Sequence, residues 1–158
     1  METTNKMKAE NALKLDVQLC FALYEASRAT IDIYRPLLET LGITYPQYLV
    51  LLILWERGTC AVKDIGKLLH LDSGTLSPLL KRLEVAGFIN RRRRANDERI
   101  VDISLTEAGQ TLKHQAAAIP EKFYCELDLP FEEYVNLLTS LKKLTGRIHA
   151  RREAQSRS

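Results

Sequence analysis

Long hydrophobic runs are absent from this 158-residue sequence. A membrane-spanning helix needs ~20 consecutive apolar residues, whereas the longest apolar run, Tyr48 to Trp55, ends after eight. The first ten residues mix acids and lysines without an apolar block, which is not the pattern of a signal peptide. We therefore expect no membrane association and a cytoplasmic location.

Cysteine and histidine are scarce and scattered. The three cysteines, Cys20, Cys60 and Cys125, form no CxxC pair, and their odd number argues against a disulfide-stapled secreted fold. We expect all three to start reduced. The three histidines show no ligand spacing among themselves or with the cysteines, so we predict no metal site and no cofactor.

The sequence has little excess charge of either sign, because the net charge is only +3. Bulk charge therefore does not indicate a nucleic-acid partner. The distribution of charge does, since the segment RRRRANDER, Arg91 to Arg99, carries five arginines and two acids. One segment of the chain is strongly basic.

Helical periodicity marks the first part of the chain. Apolar residues spaced by three and four predict a helix from Leu13 to Leu41, which Gly42 ends. The segment TYPQ, residues 44–47, has the pattern of a capping box with a proline in the first helical turn. It predicts a second helix, which Gly58 ends.

Two shorter helices follow in a helix-turn-helix pattern. The first is predicted over Val62 to Leu69, and the second follows a tight link and stops at Gly87. Pro78 is costly in a helix interior, so we expect this second helix to kink there or to begin late. The leucines predicted to face inward are Leu76, Leu79, Leu80 and Leu83.

A change of period after Gly87 indicates a β-hairpin. The segments FINRRR from Phe88 and RIVDISL from Arg99 alternate in polarity and predict two strands, joined by a polar loop over residues 94–98. A helix-turn-helix followed directly by a basic hairpin is a winged helix.

The last part of the chain is again helical. Thr106 is the predicted cap of a helix over residues 107–118, which Pro120 ends or bends. Pro130 opens a long final helix with a broad apolar face, and we expect the basic tail from Arg147 to be frayed.

These elements predict a mainly α fold with a small β-hairpin, a winged helix-turn-helix with N- and C-terminal dimerisation helices. We predict one domain over residues 1–158, with the winged part at about 44–118 and the dimerisation helices at about 13–43 and 119–152. The apolar faces of the end helices need a partner, and a second copy of the chain is the simplest one.

The order of elements resembles the MarR family of transcriptional regulators, and DERIVDISLTEAG (97–109) looks like that family's wing signature. More narrowly, the chain resembles the organic hydroperoxide resistance repressors (OhrR) of the two-cysteine type. The segments that carry this likeness are QLCFALYEASR, YRPLLETLGITYPQYLVLLILWE and LDSGTLSPLLKRLEVAGFINR.

The resemblance implies a homodimeric repressor that binds a palindromic operator in double-stranded DNA and leaves it when organic hydroperoxide oxidises a cysteine. That cysteine maps to Cys20, and the resolving cysteine of the two-cysteine type maps to Cys125. Cys60 has no role in the pattern. The tyrosines that would support the thiolate map to Tyr24, Tyr34 and Tyr45.

Helix geometry, independently of the family resemblance, limits which tyrosines can reach Cys20. Cys20 and Tyr24 form an i, i+4 pair and can meet on one face, but Tyr34 lies fourteen residues on, roughly 21 Å along a straight helix. A second subunit is then the simpler source of the Tyr34 hydroxyl. Asp16 lies one turn before Cys20 and would oppose thiol ionisation. The alternative is that Cys20 is only a small core residue.

DNA-reading residues are predicted on two elements. The second helix of the motif should enter the major groove by its first turns, and arginines of the wing suit the minor groove and phosphates. In the helix, the candidate residues are Asp72, Ser73, Gly74, Thr75 and Ser77, with Lys81 and Arg82 on the DNA backbone. In the wing, they are Arg99, held by Asp97, and Arg91, Arg92, Arg93 and Arg94. The alternatives are a solvated helix face and a merely stiffened hairpin.

Three other functions stay open at this point. A MarR-type repressor released by a small aromatic ligand would make the cysteines incidental. A thiol peroxidase using Cys20 would be an enzyme, but no arginine or Cys-His arrangement lies beside that cysteine, so we predict that the protein is not one. A pure protein-interaction module would leave five arginines on one hairpin unexplained.

Overall fold

The chain is mainly helical, because apolar residues recur at helical spacing and polar residues cap the helix ends. A computed structural model describes residues 13–156. A short 3-10 helix, Leu15–Val17, precedes the first α-helix. The α-helices are α1 Leu19–Glu39, α2 Tyr45–Arg57, α3 Val62–Leu69, α4 Ser73–Val85, α5 Glu107–Ala116, α6 Ile119–Leu127 and α7 Phe131–Ser156. The strands are β1 Cys60–Ala61, β2 Ile89–Arg94 and β3 Asp97–Leu105. The predicted mainly α class with a small hairpin is confirmed.

The chain divides into two compact units, Met1–Pro120 and Glu121–Ser158. Most of the elements, from α1 to α5 and the sheet, belong to the first unit. The helix α7 and most of α6 belong to the second. The two predicted dimerisation segments, about 13–43 and 119–152, therefore lie largely in different units.

The core of the first unit surrounds α2. This helix begins as the sequence predicted, because the Thr44 N–H donates to Gln47 Oε1 at 2.8 Å. Gly58 ends it in a backbone conformation with φ 74° that glycine adopts readily. The most deeply buried large side chains include Leu38, Leu51, Leu54, Ile65, Leu76, Leu80, Leu83, Ile89 and Ile103.

The helix-turn-helix consists of α3 and α4. His70 closes α3 in the left-handed region at φ 53°, and Asp72 caps α4. Of the two predicted consequences of Pro78, a kink or a late start of α4, the late start is wrong, because the cap lets the helix begin at Ser73 and Pro78 lies inside it. Of the four predicted inward leucines, Leu79 is only half-buried and the other three are buried.

The sheet has one strand more than the sequence predicted. Its order is β1-β3-β2, all antiparallel, and β1 pairs Cys60 with Ile103 and Ala61 with Asp102. The predicted loop over residues 94–98 is also wrong, because β2 and β3 are separated by only two residues, Ala95 and Asn96. Residues 91–99 are mostly charged, so they show no alternation of polar and apolar side chains that would predict a strand. Backbone pairing nevertheless extends β2 to Arg94 and β3 back to Asp97.

Two corrections concern the C-terminal part. Residues 119–127 form α6, where the sequence predicted only that Pro120 ends or bends a helix, and Pro120 is tolerated because it lies in the first turn. The tail from Arg147, expected to be frayed, is helical to Ser156. Its alanine, arginine and glutamate residues are good helix formers.

Candidate nucleic-acid interface and reactive cysteine

The first turn of α4 presents an exposed polar surface that its own cap holds in place. The Asp72 carboxylate accepts the Thr75 N–H at 2.8 Å and the Thr75 hydroxyl at 3.2 Å. These hydrogen bonds lower the pKa of Asp72. The other predicted helix residues, Ser73, Gly74, Ser77, Lys81 and Arg82, are all exposed. Because Asp72 and Thr75 are hydrogen-bonded to each other in the cap, they fix the shape of the first turn. The other five residues lie exposed along α4.

The wing tip carries the predicted pair of Asp97 and Arg99. Arg99 Nε donates to Asp97 Oδ1 at 3.0 Å, and a second guanidinium nitrogen reaches Oδ2 at 3.3 Å. The hydrogen bonds from Arg99 lower the pKa of Asp97. The Arg99 side chain is still 91% exposed, so the carboxylate orients it without covering it.

The four arginines from 91 to 94, predicted as one set, have different surroundings. Arg91 is half-buried, with Nη1 3.8 Å from Glu84 Oε2 of α4. Arg93 Nη1 donates to the Glu98 carbonyl at 2.9 Å. The Arg92 side chain is exposed and forms no hydrogen bond or ion pair with any residue that the structure describes, although its backbone pairs with that of Asp102 in the sheet.

Arg94 is held by a carboxylate that the sequence analysis missed. Its Nε and Nη2 donate to the two oxygens of Asp102 at 2.9 and 2.6 Å. This pairing lowers the pKa of Asp102 and raises that of Arg94. Asp102 can be identified as the partner of Arg94 only from the pairing register of β2 and β3. The sequence analysis placed Arg94 in a loop and therefore did not predict that register.

A second network joins the wing to α5, and the sequence analysis predicted only its Thr106 cap. The Thr106 hydroxyl donates to the Gly87 carbonyl at 2.6 Å and accepts the Gly109 N–H at 3.0 Å, so the predicted cap is confirmed. Trp55 Nε1 donates to the Gly109 carbonyl at 2.9 Å. The segment that follows α4, the wing and α2 are thereby connected at one point.

Cys20 lies exposed in the first turn of α1, one turn before Tyr24. The Tyr24 hydroxyl accepts a hydrogen bond from Arg28 Nη1 at 3.1 Å, and the Arg28 guanidinium carbon stands 5.6 Å from the centre of the Tyr24 ring. Cys20, Tyr24 and Arg28 follow one another at intervals of four on one helix face. The sequence analysis considered only the adjacent turn and therefore missed Arg28.

Tyr34 and Tyr45 lie together but far along the helix from Cys20. Their ring centroids are 4.9 Å apart, and Tyr48 is 5.9 Å from Tyr34. Burial raises the pKa of both Tyr45 and Tyr48. Because α1 is unbroken from Leu19 to Glu39, fourteen residues of helix put roughly 21 Å between Cys20 and Tyr34 along the axis. Within one chain, only Tyr24 of the three predicted tyrosines is near Cys20.

The other two cysteines differ in exposure. Cys125 is exposed on α6 in the second unit. Cys60 is half-buried on β1, where burial raises the pKa of its thiol. A raised pKa disfavours the thiolate, which is the reactive species.

Two kinds of site are not found among residues 13–156. No group of three or more histidine, cysteine, aspartate or glutamate residues there could hold a metal ion. In the same part of the chain, no helix is both long enough and apolar enough to span a membrane.

Comparison with known proteins agrees with this architecture. A family profile described as transcriptional regulator SarA/Rot matches residues 32–116. The organic hydroperoxide resistance transcriptional regulator of Bacillus subtilis is 57% identical over 108 residues, 68% of this chain and 74% of the relative. The HTH-type transcriptional regulator TtmR of Methylorubrum extorquens is 47% identical over 137 residues, 87% of this chain and 70% of the relative.

Among solved structures, AbfR of Staphylococcus epidermidis, in its reduced form bound to DNA, gives a TM-score of 0.75 at 40% identity. The match covers 91% of this chain and 98% of the AbfR chain. The fold and the comparisons thus define a winged helix-turn-helix transcriptional regulator. The chain belongs to the MarR family, and within it to the organic hydroperoxide resistance type.

Proposed function

We propose that this protein is a redox-sensing repressor that binds operator DNA when reduced and is released when organic hydroperoxide oxidises Cys20. The observation that carries the proposal is the exposed Cys20 on one helix face with Tyr24 and Arg28. Two relatives support it: the B. subtilis regulator of organic hydroperoxide resistance, and AbfR, for which reduced DNA-bound, overoxidised DNA-bound and disulfide-formed structures exist.

The DNA-bound state is a homodimer on a palindromic site. Each subunit places the first turn of α4 in the major groove, where Ser73, Gly74 and Ser77 approach the DNA and the helix N-terminus favours phosphate. Lys81 and Arg82 contact the DNA backbone from further along this helix. The wing then places Arg99 in the minor groove, which is narrow and strongly negative.

The sensing step begins with the Cys20 thiolate, whose negative charge a tyrosine hydroxyl stabilises by donating a hydrogen bond. Tyr24 comes from the same helix, and Tyr34 and Tyr45 come from the partner subunit. The thiolate attacks one peroxide oxygen, the O–O bond breaks, and the alkoxide takes up a proton and leaves as an alcohol. Cys20 is left as a sulfenic acid.

Cys125 of the partner subunit then resolves the sulfenic acid. Its sulfur attacks the Cys20 sulfur, water leaves, and an intersubunit disulfide forms. A disulfide requires Cα atoms within roughly 7 Å. Closing that bond pulls on helices that carry the DNA-reading units, and the two halves then no longer match the operator spacing.

The test is operator binding by wild type, Cys20→Ser and Cys125→Ser, before and after a few equivalents of an organic hydroperoxide. The probe is a palindromic duplex that the reduced wild-type protein enriches from a random-sequence library. Wild type should be released and should recover with dithiothreitol, whereas Cys20→Ser should stay bound. Non-reducing gels of the same samples should show a covalent dimer for wild type and none for Cys125→Ser.

Each opposite result identifies a different error. Release of wild type and Cys20→Ser alike, or of neither, would remove Cys20 from the sensing step and favour release by a small aromatic ligand. A covalent dimer in Cys125→Ser would remove Cys125 from the mechanism. Repeated turnover of peroxide with a thiol reductant would favour a thiol peroxidase.

A further inference from the structure

Asp102 lies in the middle of the sheet and holds an arginine that would otherwise face the DNA. Strand β3 is the central strand, and Asp102 is paired there with Ala61 of β1 on one side and Arg92 of β2 on the other. We propose that Asp102 is a positioning residue for DNA binding. It holds Arg94 as a brace of the wing and leaves Arg92 as the phosphate-binding arginine of the two. This inference rests on the proposed function.

The contact between Arg94 and Asp102 has the geometry of a brace. Two nitrogens of one planar guanidinium meet two oxygens of one carboxylate, at 2.9 and 2.6 Å, and a bidentate pair fixes orientation as well as distance. The Asp102 side chain is only 23% exposed. Arg94 is the last residue of β2 before the turn, so the brace joins the outer end of β2 to the middle of β3.

The strand pairing near Arg94 shows why a brace is needed. The register of β2 against β3 shifts between Arg93 and Arg94, and such an irregularity bends and twists a hairpin. The direction of the wing tip beyond this point is therefore not fixed by the backbone ladder alone. A side-chain contact that reaches diagonally back to Asp102 fixes it.

Asp102, the acidic partner in this brace, is connected to the helix-turn-helix. Ala61, opposite Asp102, is the residue immediately before α3 and occupies the N-cap position of that helix. Through this pairing, Asp102 on hairpin strand β3 is joined directly to the residue that begins the helix-turn-helix. An Arg94 side chain bound there sets the wing relative to the helices that enter the DNA.

Arg92 offers the contrasting environment within the same strand. It is directly opposite Asp102 in the register, yet its side chain is exposed and bonded to no residue in the described range. A guanidinium bound to a carboxylate has two of its donors taken and its charge offset, whereas an unpaired one has all five donors for phosphate. The run therefore contains one braced arginine and one available arginine on neighbouring positions of one strand.

The proposal predicts that loss of the Asp102 charge changes the affinity for DNA in the direction opposite to the one that charge alone would give. Removing an acid from a DNA-binding surface normally strengthens binding, because DNA is a polyanion. If Asp102 is a brace, Asp102→Asn should weaken operator binding although it removes a negative charge. We expect roughly two- to fivefold weaker binding, the range of an exposed ion pair.

The experiment measures fluorescence anisotropy on the enriched palindromic duplex at several salt concentrations, for reduced wild type, Asp102→Asn, Arg94→Ala and Arg92→Ala. Arg92→Ala should reduce the slope of log affinity against log salt by about one per subunit, since one phosphate contact is lost. Asp102→Asn and Arg94→Ala should weaken binding without changing that slope. The double variant should bind no worse than either single one.

Glu98→Gln is the matched control. Glu98 lies on the same strand β3, its side chain is exposed, and only its backbone carbonyl takes part in the wing contacts. Glu98→Gln removes one negative charge, as Asp102→Asn does, but leaves the contact between Arg94 and Asp102 intact. It should therefore leave the affinity for DNA unchanged or raise it. Circular dichroism of each variant establishes that the fold is retained.

Two results would refute the proposal. Tighter binding by Asp102→Asn with a steeper salt slope would mean that Asp102 merely sequesters Arg94 from phosphate. A reduced slope in Arg94→Ala would make Arg94 itself a phosphate contact. Failure of reduced wild type to enrich or bind any duplex would instead refute the proposed function, which distinguishes the two failures.

Discussion

At the scale of single residues, Gly109 explains part of the wing signature in physical terms. A Cβ atom at this position would clash with the Phe88 carbonyl oxygen, which belongs to the backbone and cannot move away without a large cost. Only glycine permits this approach of α5 to the start of β2. The same glycine carries the carbonyl that accepts the Trp55 indole N–H. The LTEAG end of that signature, residues 105–109, therefore encodes a junction between helix and wing.

Gly109→Ala should lower the free energy of unfolding by about 1–3 kcal/mol, because overpacking outweighs alanine's better helix propensity. Gly146→Ala is the matched control, since a Cβ there meets no atom within 4 Å. That change should raise stability by about 0.5–1 kcal/mol. Urea unfolding followed by circular dichroism measures both, and equal effects of the two changes would contradict the packing argument.

At the scale of elements, α4 shows a conflict between a strong cap and an internal proline. Asp72 and Thr75 fix the first turn, and Leu76, Leu80 and Leu83 bury one face. Pro78 lies in the second turn and removes the N–H that would bond to the Gly74 carbonyl. The helix forms because packing and capping together exceed the cost of the proline.

Replacing Pro78 by alanine should therefore stabilise the fold by about 1 kcal/mol or more, since it restores a helical hydrogen bond and removes a steric clash. Pro46→Ala is the control. Pro46 lies in the first turn of α2, where its missing N–H needs no helical partner, so its loss should leave stability unchanged or slightly lower. Chemical denaturation curves test both, and a destabilised Pro78→Ala protein would show that the proline is required by its surroundings.

The elements that the sequence predicted are those with a repeating signal. Apolar spacing and caps revealed α1 to α5 and α7, and the two-residue spacing of Asp97 and Arg99 revealed their contact. The strand β1 has only two residues and so carries no period. The pair of Arg94 and Asp102 depends on strand register, and the grouping of Tyr34 with Tyr45 depends on how two helices pack. Neither leaves a pattern in the linear sequence.

At the scale of the whole molecule, the surface of α7 does not suit an isolated chain. Exposed apolar side chains on this helix include Phe131, Val135, Leu137, Leu138, Leu141 and Ile148. They share one broad side, because their spacing keeps them within about a half-turn of the helix. Exposed apolar area of this kind marks an interaction surface. Homodimers need a self-complementary surface, and we expect this apolar face of α7 to be the one that meets the second copy.

Leu138→Glu should convert the homodimer to a monomer, because dimer formation would then bury an unpaired carboxylate. Operator affinity should fall on the order of 100-fold or more, since each half-site would have to be bound independently. Asn136→Glu adds the same charge, and its position is about 160° around the helix from Leu138, so it should keep both the dimer and the affinity. Sedimentation velocity gives the mass, and anisotropy on the palindromic duplex gives the affinity. A Leu138→Glu protein that sediments as a dimer would show that the second copy binds elsewhere than on α7.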